Sequence, residues 1–232
     1  MNNVAAHKKT KGLSERAFDQ IKQDIVWCKF APGEEVSEAK LTNIYGLGKA
    51  PIRHALSRLI QEGYVIAIPR SGHIIAPVTL QSVKEIFEFR LIIEPEVIER
   101  ACGKIDPVRL RALDAKCAMG YISGDKVSEA RFMEANHRFH MEIARCCGNS
   151  RLAATLSQII DEMTRLLHLG FVMRERPDEM RKEHTALIDA LANNDKKTAR
   201  QMTVVHIETV RKLVINGIMS HTNLNNTNIA PV

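Results

Sequence analysis

Three histidines stand at apolar positions of predicted helices, where their imidazoles could bind a metal ion. His140, His184 and His206 each fall within the apolar stripe of a segment with helical periodicity. Asn136 lies four residues before His140, so these two side chains share one helix face. Unpaired buried polar groups cost on the order of a few kcal/mol each. A divalent ion relieves that cost because neutral imidazoles are good ligands for zinc, nickel and related ions.

The same histidines have two other interpretations. Buried imidazoles can simply join helices through hydrogen bonds, which is the more common role of a single buried histidine. An open three-histidine site could instead activate water in a metal-dependent hydrolase. The carboxylates available to such an enzyme, Glu94, Glu142 and Glu183, follow no hydrolase motif such as His-Glu-x-x-His. The hydrolase is therefore the runner-up.

A charged pair interrupts the apolar stripe of another predicted helix. Arg90 and Glu94 are four residues apart and lie on the same, otherwise apolar, helix face. A buried charge needs a partner or a ligand. Either the two residues form an internal ion pair, or Arg90 reaches a cavity and binds a carboxylate, which suits its planar guanidinium. Arg90 is thus a candidate effector-binding residue.

An all-helical domain over residues 79–218 must position these side chains. This part of the sequence shows helical periodicity without strand alternation, and no apolar run approaches the roughly 20 residues of a membrane helix. The polar terminal segments, 1–12 and 219–232, are predicted to be flexible tails. The predicted helices of this domain span 80–103, 106–121, 126–147, 150–173, 177–193 and 195–218.

Residues 13–78 show a different pattern, with three short helices followed by a two-stranded hairpin. Ser14 and Ser37 are candidate N-caps of the first two helices, and Pro51 is predicted to begin the third. The turn Pro69-Arg-Ser-Gly72 separates two β-branched segments. This order is typical of a winged helix-turn-helix. The predicted fold class is therefore mainly α, a winged helix-turn-helix followed by a helical bundle.

Basic side chains on the third helix and the hairpin indicate a nucleic-acid partner. Residues 1–79 carry eleven lysines and arginines against seven acidic residues, so they hold most of the net charge of +6. A helix fits the major groove, and a thin glycine-containing tip can approach the minor groove. The alternative is a winged helix used only for protein contacts. The candidate DNA contacts are Lys49, Arg53, Arg58, Arg70 and Gly72.

The third helix carries a recognisable motif. The run Gly48-Lys-Ala-Pro-Ile-Arg-His-Ala-Leu56 resembles the Ser-Arg-Thr-Pro-Val-Arg-Glu-Ala-Leu segment of GntR-family transcriptional regulators. Pro32-Gly33 and the hairpin glycine also match that family. Ala50 stands where the family commonly has threonine, so the resemblance implies that Ala50 faces DNA and that the operator differs from the common one.

The histidine motifs resemble the FCD effector domain of the same family. Asn136-His-Arg-Phe-His140, followed by His184 and His206, is similar to the FCD pattern Asp-x-x-x-His plus two later histidines. The resemblance implies that these four residues hold the ion, with Asn136 replacing the usual aspartate, and that Arg90 lies near the cavity. Zinc or nickel suits an imidazole-rich set without thiolate. Six helices rather than seven resemble the VanR-like subgroup.

The resemblance implies a metabolite-responsive transcriptional regulator, in the first instance a repressor, rather than an enzyme. Regulators of this kind are usually homodimers that bind palindromic double-stranded DNA and respond to small organic acids or related metabolites. We therefore expect an operator, a carboxylate-bearing effector and a second copy of the chain as partners, and no membrane. Five cysteines without a Cys-x-x-Cys pair favour reduced thiols, which agrees with a cytoplasmic location.

Overall fold

The chain divides into two compact units, Met1–Val78 and Thr79–Val232. The computed structural model describes residues 12–70, 72–122, 125–169, 177–220 and 229–230. The predicted tails, 1–12 and 219–232, lie largely outside the described residues. No described helix is both long enough and apolar enough to span a membrane.

The first unit contains the three helices and the hairpin that the sequence predicts. Strands β1 and β2 both pair with β3 in antiparallel register. The two-residue strand β1 was not predicted, because two residues are too short to show alternation. The prediction of Ser14 as N-cap was wrong, since Gly12 holds that position. The elements are α1 (Leu13–Val26), β1 (Glu35–Val36), α2 (Glu38–Tyr45), α3 (Lys49–Gln61), β2 (Val65–Ile68) and β3 (Gly72–Ile75).

Local signals set the tight turn between α2 and α3. The Ser37 hydroxyl caps α2 by accepting a hydrogen bond from the backbone N–H of Lys40, as predicted. Gly46 ends the helix in the left-handed conformation, at φ 62°. Helix α3 begins before Pro51, contrary to the prediction, with Gly48 at its N-cap. Pro51 still lies in the first turn, where a missing N–H removes no intrahelical hydrogen bond.

The core of the first unit fixes which face of α3 meets solvent. Ile52, Leu56 and Leu59 are each at most 1% exposed and pack against α1. Arg53 and Arg58 lie between these positions and are therefore exposed. The buried side chains of this core include Phe18, Ile21, Ile25, Leu41, Ile52, Leu56, Leu59 and Ile75.

The second unit contains the predicted six helices within its described residues. The helix predicted to reach residue 173 ends at His168, and 170–176 lie outside the described residues. Two short strands that were not predicted, β4 and β5, pair with each other. The elements are β4 (Val78–Thr79), α4 (Leu80–Ala101), α5 (Pro107–Cys117), α6 (Lys126–Cys146), α7 (Ser150–His168), α8 (Pro177–Ala192), α9 (Lys196–Ser220) and β5 (Ile229–Ala230).

Helix packing in the second unit brings the histidine-bearing helices toward one core. Helix α4 packs on α6, α7 and α9, whereas α5 packs on α6 and α8, and α8 packs on α9. Phe139 of α6 is fully buried and belongs to the same core as Leu187 and Ile188 of α8 and Ala199 of α9. Each of α6, α8 and α9 therefore presents one face to the interior, and each of these helices carries one of the three predicted ligand histidines.

The buried face of α9 differs from the predicted stripe. The sequence predicts a stripe of Ala199, Met202, Val210 and Leu213. Ala199 is buried, but the other three residues are only partly buried. Thr203 is 4% exposed because its hydroxyl donates to the backbone oxygen of Ala199, which satisfies the polar group within the helix. The buried face of α9 is therefore rotated relative to the predicted stripe, and the partly exposed His206 lies at its edge.

Candidate metal centre and DNA-binding surface

Helices α6, α8 and α9 bring three imidazoles together inside the second unit. One ring nitrogen from each of His140, His184 and His206 lies within 4.8 Å of those of the other two. The ring centroids are 5.9 to 6.0 Å apart, so the three rings form a nearly equilateral triangle. His140 and His184 are buried, and His206 is partly exposed. This His triad could hold one metal ion.

The hydrogen bonds of His184 indicate which of its nitrogens is free for an ion. Its Nδ1 lies 2.8 Å from Oδ1 of Asp114, and its ring stacks on Phe139 at 4.3 Å between centroids. Its Nε2 is fully buried and has no hydrogen-bond partner among the residues that the structure describes. The carboxylate holds the proton on Nδ1, so Nε2 carries a lone pair. A buried, unpartnered lone pair of this kind fits a metal ligand.

His206 repeats the arrangement at the more open side of the triad. Its Nδ1 lies 2.7 Å from Oε2 of Glu183. The hydrogen bond to His206 holds the pKa of Glu183 below its ordinary value, so this carboxylate stays ionised. The His206 and Glu183 side chains are 15% and 30% exposed. Of the three triad rings, that of His206 on α9 is therefore the most exposed.

Burial keeps the third imidazole neutral. Removal from water lowers the pKa of His140 well below its ordinary value of 6.5, and the nearby His184, His206 and Arg90 act in the same direction. Burial also lowers the pKa of His184. Neutral imidazole is the form that binds a metal ion. His140 and His184 are therefore in their ligand form at neutral pH.

We expect the metal-free protein to lose stability as the pH falls below 6.5. The folded state keeps His140 neutral, whereas the unfolded chain takes up a proton near the ordinary pKa of histidine, so the unfolded state binds more protons. For His140 alone, the loss grows from that value down to the lowered folded pKa, by at most about 1.4 kcal/mol per pH unit. Urea unfolding of wild type and His140→Leu at about pH 7.5 and about pH 5.5 measures the effect. A pH dependence of the same size in both proteins would contradict it.

Two further predicted site residues lie near the triad without a demonstrated role. Asn136 is partly buried one turn before His140 on α6, and its role as a ligand stays a prediction. Arg90 is 3% exposed and pairs with Glu94 along α4, so the internal ion pair considered from the sequence is formed. The Arg90 charge also acts to lower the pKa of His140, after burial and the two other triad histidines.

Sequence reasoning missed the outer carboxylates of this centre. Asp114 was not considered, although it stands on the apolar face of α5 between the buried Leu110 and Cys117. An acidic residue at such a position was the available signal. Glu183 was considered only as a general base, and its position next to His184 gave no indication that it bonds His206 instead.

The candidate DNA contacts of the first unit lie on its solvent face. Lys49, Ala50, Arg53 and Arg58 are all exposed on α3. Arg70 is exposed at the hairpin with φ 64°. Each of these residues is therefore accessible, and their contact with DNA stays a prediction. Gly72 follows at φ 116°, a backbone conformation that only glycine adopts readily.

Acidic neighbours hold the two helix arginines in defined orientations. Nε and one terminal nitrogen of Arg53 each donate a 3.0 Å hydrogen bond to the Glu38 carboxylate of α2. Arg58 donates to Glu62 at 3.0 Å and lies 3.6 Å above the Phe18 ring. The Arg53 side chain is still 68% exposed, so it remains accessible.

Comparisons with known proteins agree with this architecture. Residues 13–75 match the family model of the bacterial regulatory proteins of the gntR family, and residues 85–209 match the FCD domain. The fold resembles that of E. coli McbR/YncC with a TM-score of 0.74 at 20% identity, covering 92% of this chain and 100% of that chain.

Curated relatives are similar over most of their length. The chain is 24% identical over 190 residues to YdhC of Bacillus subtilis, an uncharacterized HTH-type transcriptional regulator, covering 82% of this chain and 85% of YdhC. It is 20% identical over 205 residues to the HTH-type transcriptional repressor RspR of Escherichia coli K12, covering 88% of this chain and 90% of RspR. Because the FCD match alone spans more than half of the residues, this chain belongs to the GntR family of bacterial transcriptional regulators, with an FCD domain after its helix-turn-helix unit.

Proposed function

We propose that this protein is a metabolite-responsive repressor that binds a palindromic operator as a homodimer and senses its effector at a divalent metal ion. The observation that carries the proposal is the His triad, with three ring nitrogens within 4.8 Å and one of them buried without a hydrogen-bond partner in the described part of the chain. We place the protein in the cytoplasm, where operator DNA is accessible.

The metal ligands are His140, His184 and His206, with Asn136 as a neutral oxygen ligand. Zinc or nickel suits this set because the ligands are imidazole-rich and lack thiolate. The ion, when bound, supplies a Lewis-acidic position for a carboxylate or carbonyl oxygen of a small organic acid. Arg90 supplies the counter-charge to the effector carboxylate, which requires Glu94 to share the guanidinium.

The DNA-binding residues are those on the exposed face of α3 and at the hairpin. Arg53 and Lys49 lie on the solvent side of the helix that would enter the major groove. Ala50, Arg58, Arg70 and Gly72 complete the surface. One such unit reads one half-site, and a palindrome requires two units related by a two-fold axis.

We expect a homodimer built chiefly by the helical domain. Phe89 and Ile92 on α4 are 41% and 68% exposed, and Val205 on the adjoining α9 is 54% exposed. Large apolar side chains on packed neighbouring helices favour a protein contact. Light scattering on the full chain and on a fragment of residues 79–232 should give twice the monomer mass, and Ile92→Asp should shift the full chain toward monomer. A wild-type monomer at micromolar concentration would contradict the dimer.

The function as a whole is tested by DNA selection followed by effector screening. The purified, zinc-loaded protein should enrich an inverted repeat from a random double-stranded pool. A panel of mono-, di- and tricarboxylates should then contain compounds that change affinity for that repeat, and stripping the metal should remove their effect. Absence of any enriched sequence would overturn the regulatory function. An effector response that survives metal removal would overturn the sensing mechanism.

A further inference from the structure

Two of the three triad imidazoles are paired with carboxylates through their Nδ1 atoms. Asp114 of α5 accepts from Nδ1 of His184 at 2.8 Å, and Glu183 of α8 accepts from Nδ1 of His206 at 2.7 Å. A carboxylate on Nδ1 keeps the proton there and leaves Nε2 as an acceptor. It also fixes the rotation of the ring about its side-chain bonds. In both pairs, a carboxylate therefore orients a triad imidazole and keeps its Nε2 free of a proton.

We propose that Asp114 and Glu183 are positioning residues of the metal centre, which set its affinity by orienting His184 and His206 and by supplying two negative charges. The proposal rests on the proposed metal-binding function of the triad. Neither carboxylate is itself a ligand in this account. Each acts through the imidazole to which it is bonded.

The charge of the ligand set explains why this chain depends on the outer carboxylates. Three neutral imidazoles and the neutral amide of Asn136 leave the two positive charges of a divalent ion uncompensated. The nearby Arg90 charge is already matched by Glu94. Asp114 and Glu183 supply two negative charges one imidazole away from the ion. Such carboxylates also raise the basicity of the histidine that they contact.

The two positioning residues are expected to contribute unequally to metal affinity. The side chains of Asp114 and His184 are 11% and 2% exposed, so their hydrogen bond is shielded from water. The His184 ring is also held by stacking on Phe139, so ring orientation and tautomer are set together. The Glu183 and His206 pair is more exposed, at 30% and 15%. Because solvent screens charges and competes for hydrogen bonds, Asp114 should contribute more than Glu183.

Zinc affinity of the full-length protein, measured by competition with a chelator, tests the proposal. Asp114→Asn should weaken zinc binding about 10–100-fold, the usual effect of removing an outer partner of a metal ligand. Glu183→Gln should weaken it by a smaller factor, and Asp114→Glu should recover part of the loss. Asp161→Asn is the matched control, because Asp161 bonds His137 at 3.2 Å in the same bundle but outside the triad. This control should bind zinc as the wild type does.

A second measurement separates positioning from a general structural role. The d–d spectrum of the cobalt-loaded protein should change in Asp114→Asn and Glu183→Gln and stay unchanged in Asp161→Asn. If Asp114→Asn fails to fold, Glu183→Gln carries the same test at the more exposed pair.

The outcomes distinguish this inference from the function on which it rests. Wild-type affinity and an unaltered cobalt spectrum in both Asp114→Asn and Glu183→Gln would overturn the positioning role and leave the metal site intact. An equal loss in Asp161→Asn would also overturn it, because the effect would then not be specific to the triad. A wild-type protein that binds neither zinc nor cobalt would overturn the metal site itself.

Discussion

Replacing His184 with alanine is expected to abolish specific metal binding and the effector response while leaving basal DNA binding largely intact. The variant removes the imidazole whose Nε2 is buried without a hydrogen-bond partner in the described part of the chain. Loss of an outer partner of a ligand already costs about 10–100-fold in affinity, so loss of the ligand itself should exceed about 100-fold. The residue lies in the helical unit, and α3 belongs to the other one. Elemental analysis, a carboxylate panel and gel-shift titration measure the three properties.

The matched control for this variant is His137→Ala. His137 is also on α6, next in sequence to Asn136, but it bonds Asp161 rather than the triad. It should retain one ion per chain and the effector response. Full metal occupancy in His184→Ala would show that the site is wrongly assigned. If metal loss were accompanied by unfolding in circular dichroism, the ion would be structural, and the sensing role would lose its support.

Replacing Arg53 with alanine is expected to weaken operator binding by about 1–3 kcal/mol, or about 5–150-fold. Its guanidinium is 68% exposed and is held by two hydrogen bonds to Glu38, which fixes the direction in which it projects from α3. That contact also keeps the pKa of Glu38 below its ordinary value, so the pair is charged at neutral pH. A pre-oriented guanidinium suits bidentate recognition of a guanine edge or a phosphate.

Three comparison variants make the Arg53 result specific. Arg138→Ala removes the same charge from an exposed position on α6 and should leave operator affinity unchanged. Arg53→Lys keeps the charge but loses the planar fork, so it should restore little of the affinity. Lys49→Ala should mainly reduce the dependence of affinity on salt, as expected of a phosphate contact. If Arg53→Ala bound the operator with wild-type affinity in gel shifts, α3 would not be the helix that enters the major groove.

Helical periodicity was enough to select the triad from nine histidines. The buried positions of His140 and His184 follow from the period of α6 and α8, because one residue in each turn faces the core. His206 was also selected, although the face of α9 is rotated from the predicted one. Thr203 lies on the buried face with its hydroxyl satisfied within the helix, whereas a helical wheel counts threonine as polar.

Partners between helices could not be predicted in the same way. Asp114 and His184 are 70 residues apart, and their contact depends on how α5 packs on α8. The Arg53 and Glu38 contact likewise depends on the geometry of the turn between α2 and α3. A single sequence indicates the approximate buried face of a helix, but it does not show which helix covers that face.

Family membership decides between the alternatives that the sequence left open. The matched domains belong to transcriptional regulators, so the hydrolase interpretation of the triad is wrong.

X-ray absorption at the zinc edge of the zinc-loaded, full-length protein tests the metal centre most directly. The account predicts imidazole scattering from three nitrogens at about 2.0–2.1 Å, with oxygen in the remaining positions and no sulfur. Sulfur at about 2.3 Å would place the ion at cysteines instead. A first shell of oxygen without imidazole scattering would mean that the triad binds no ion, and either result would contradict the account.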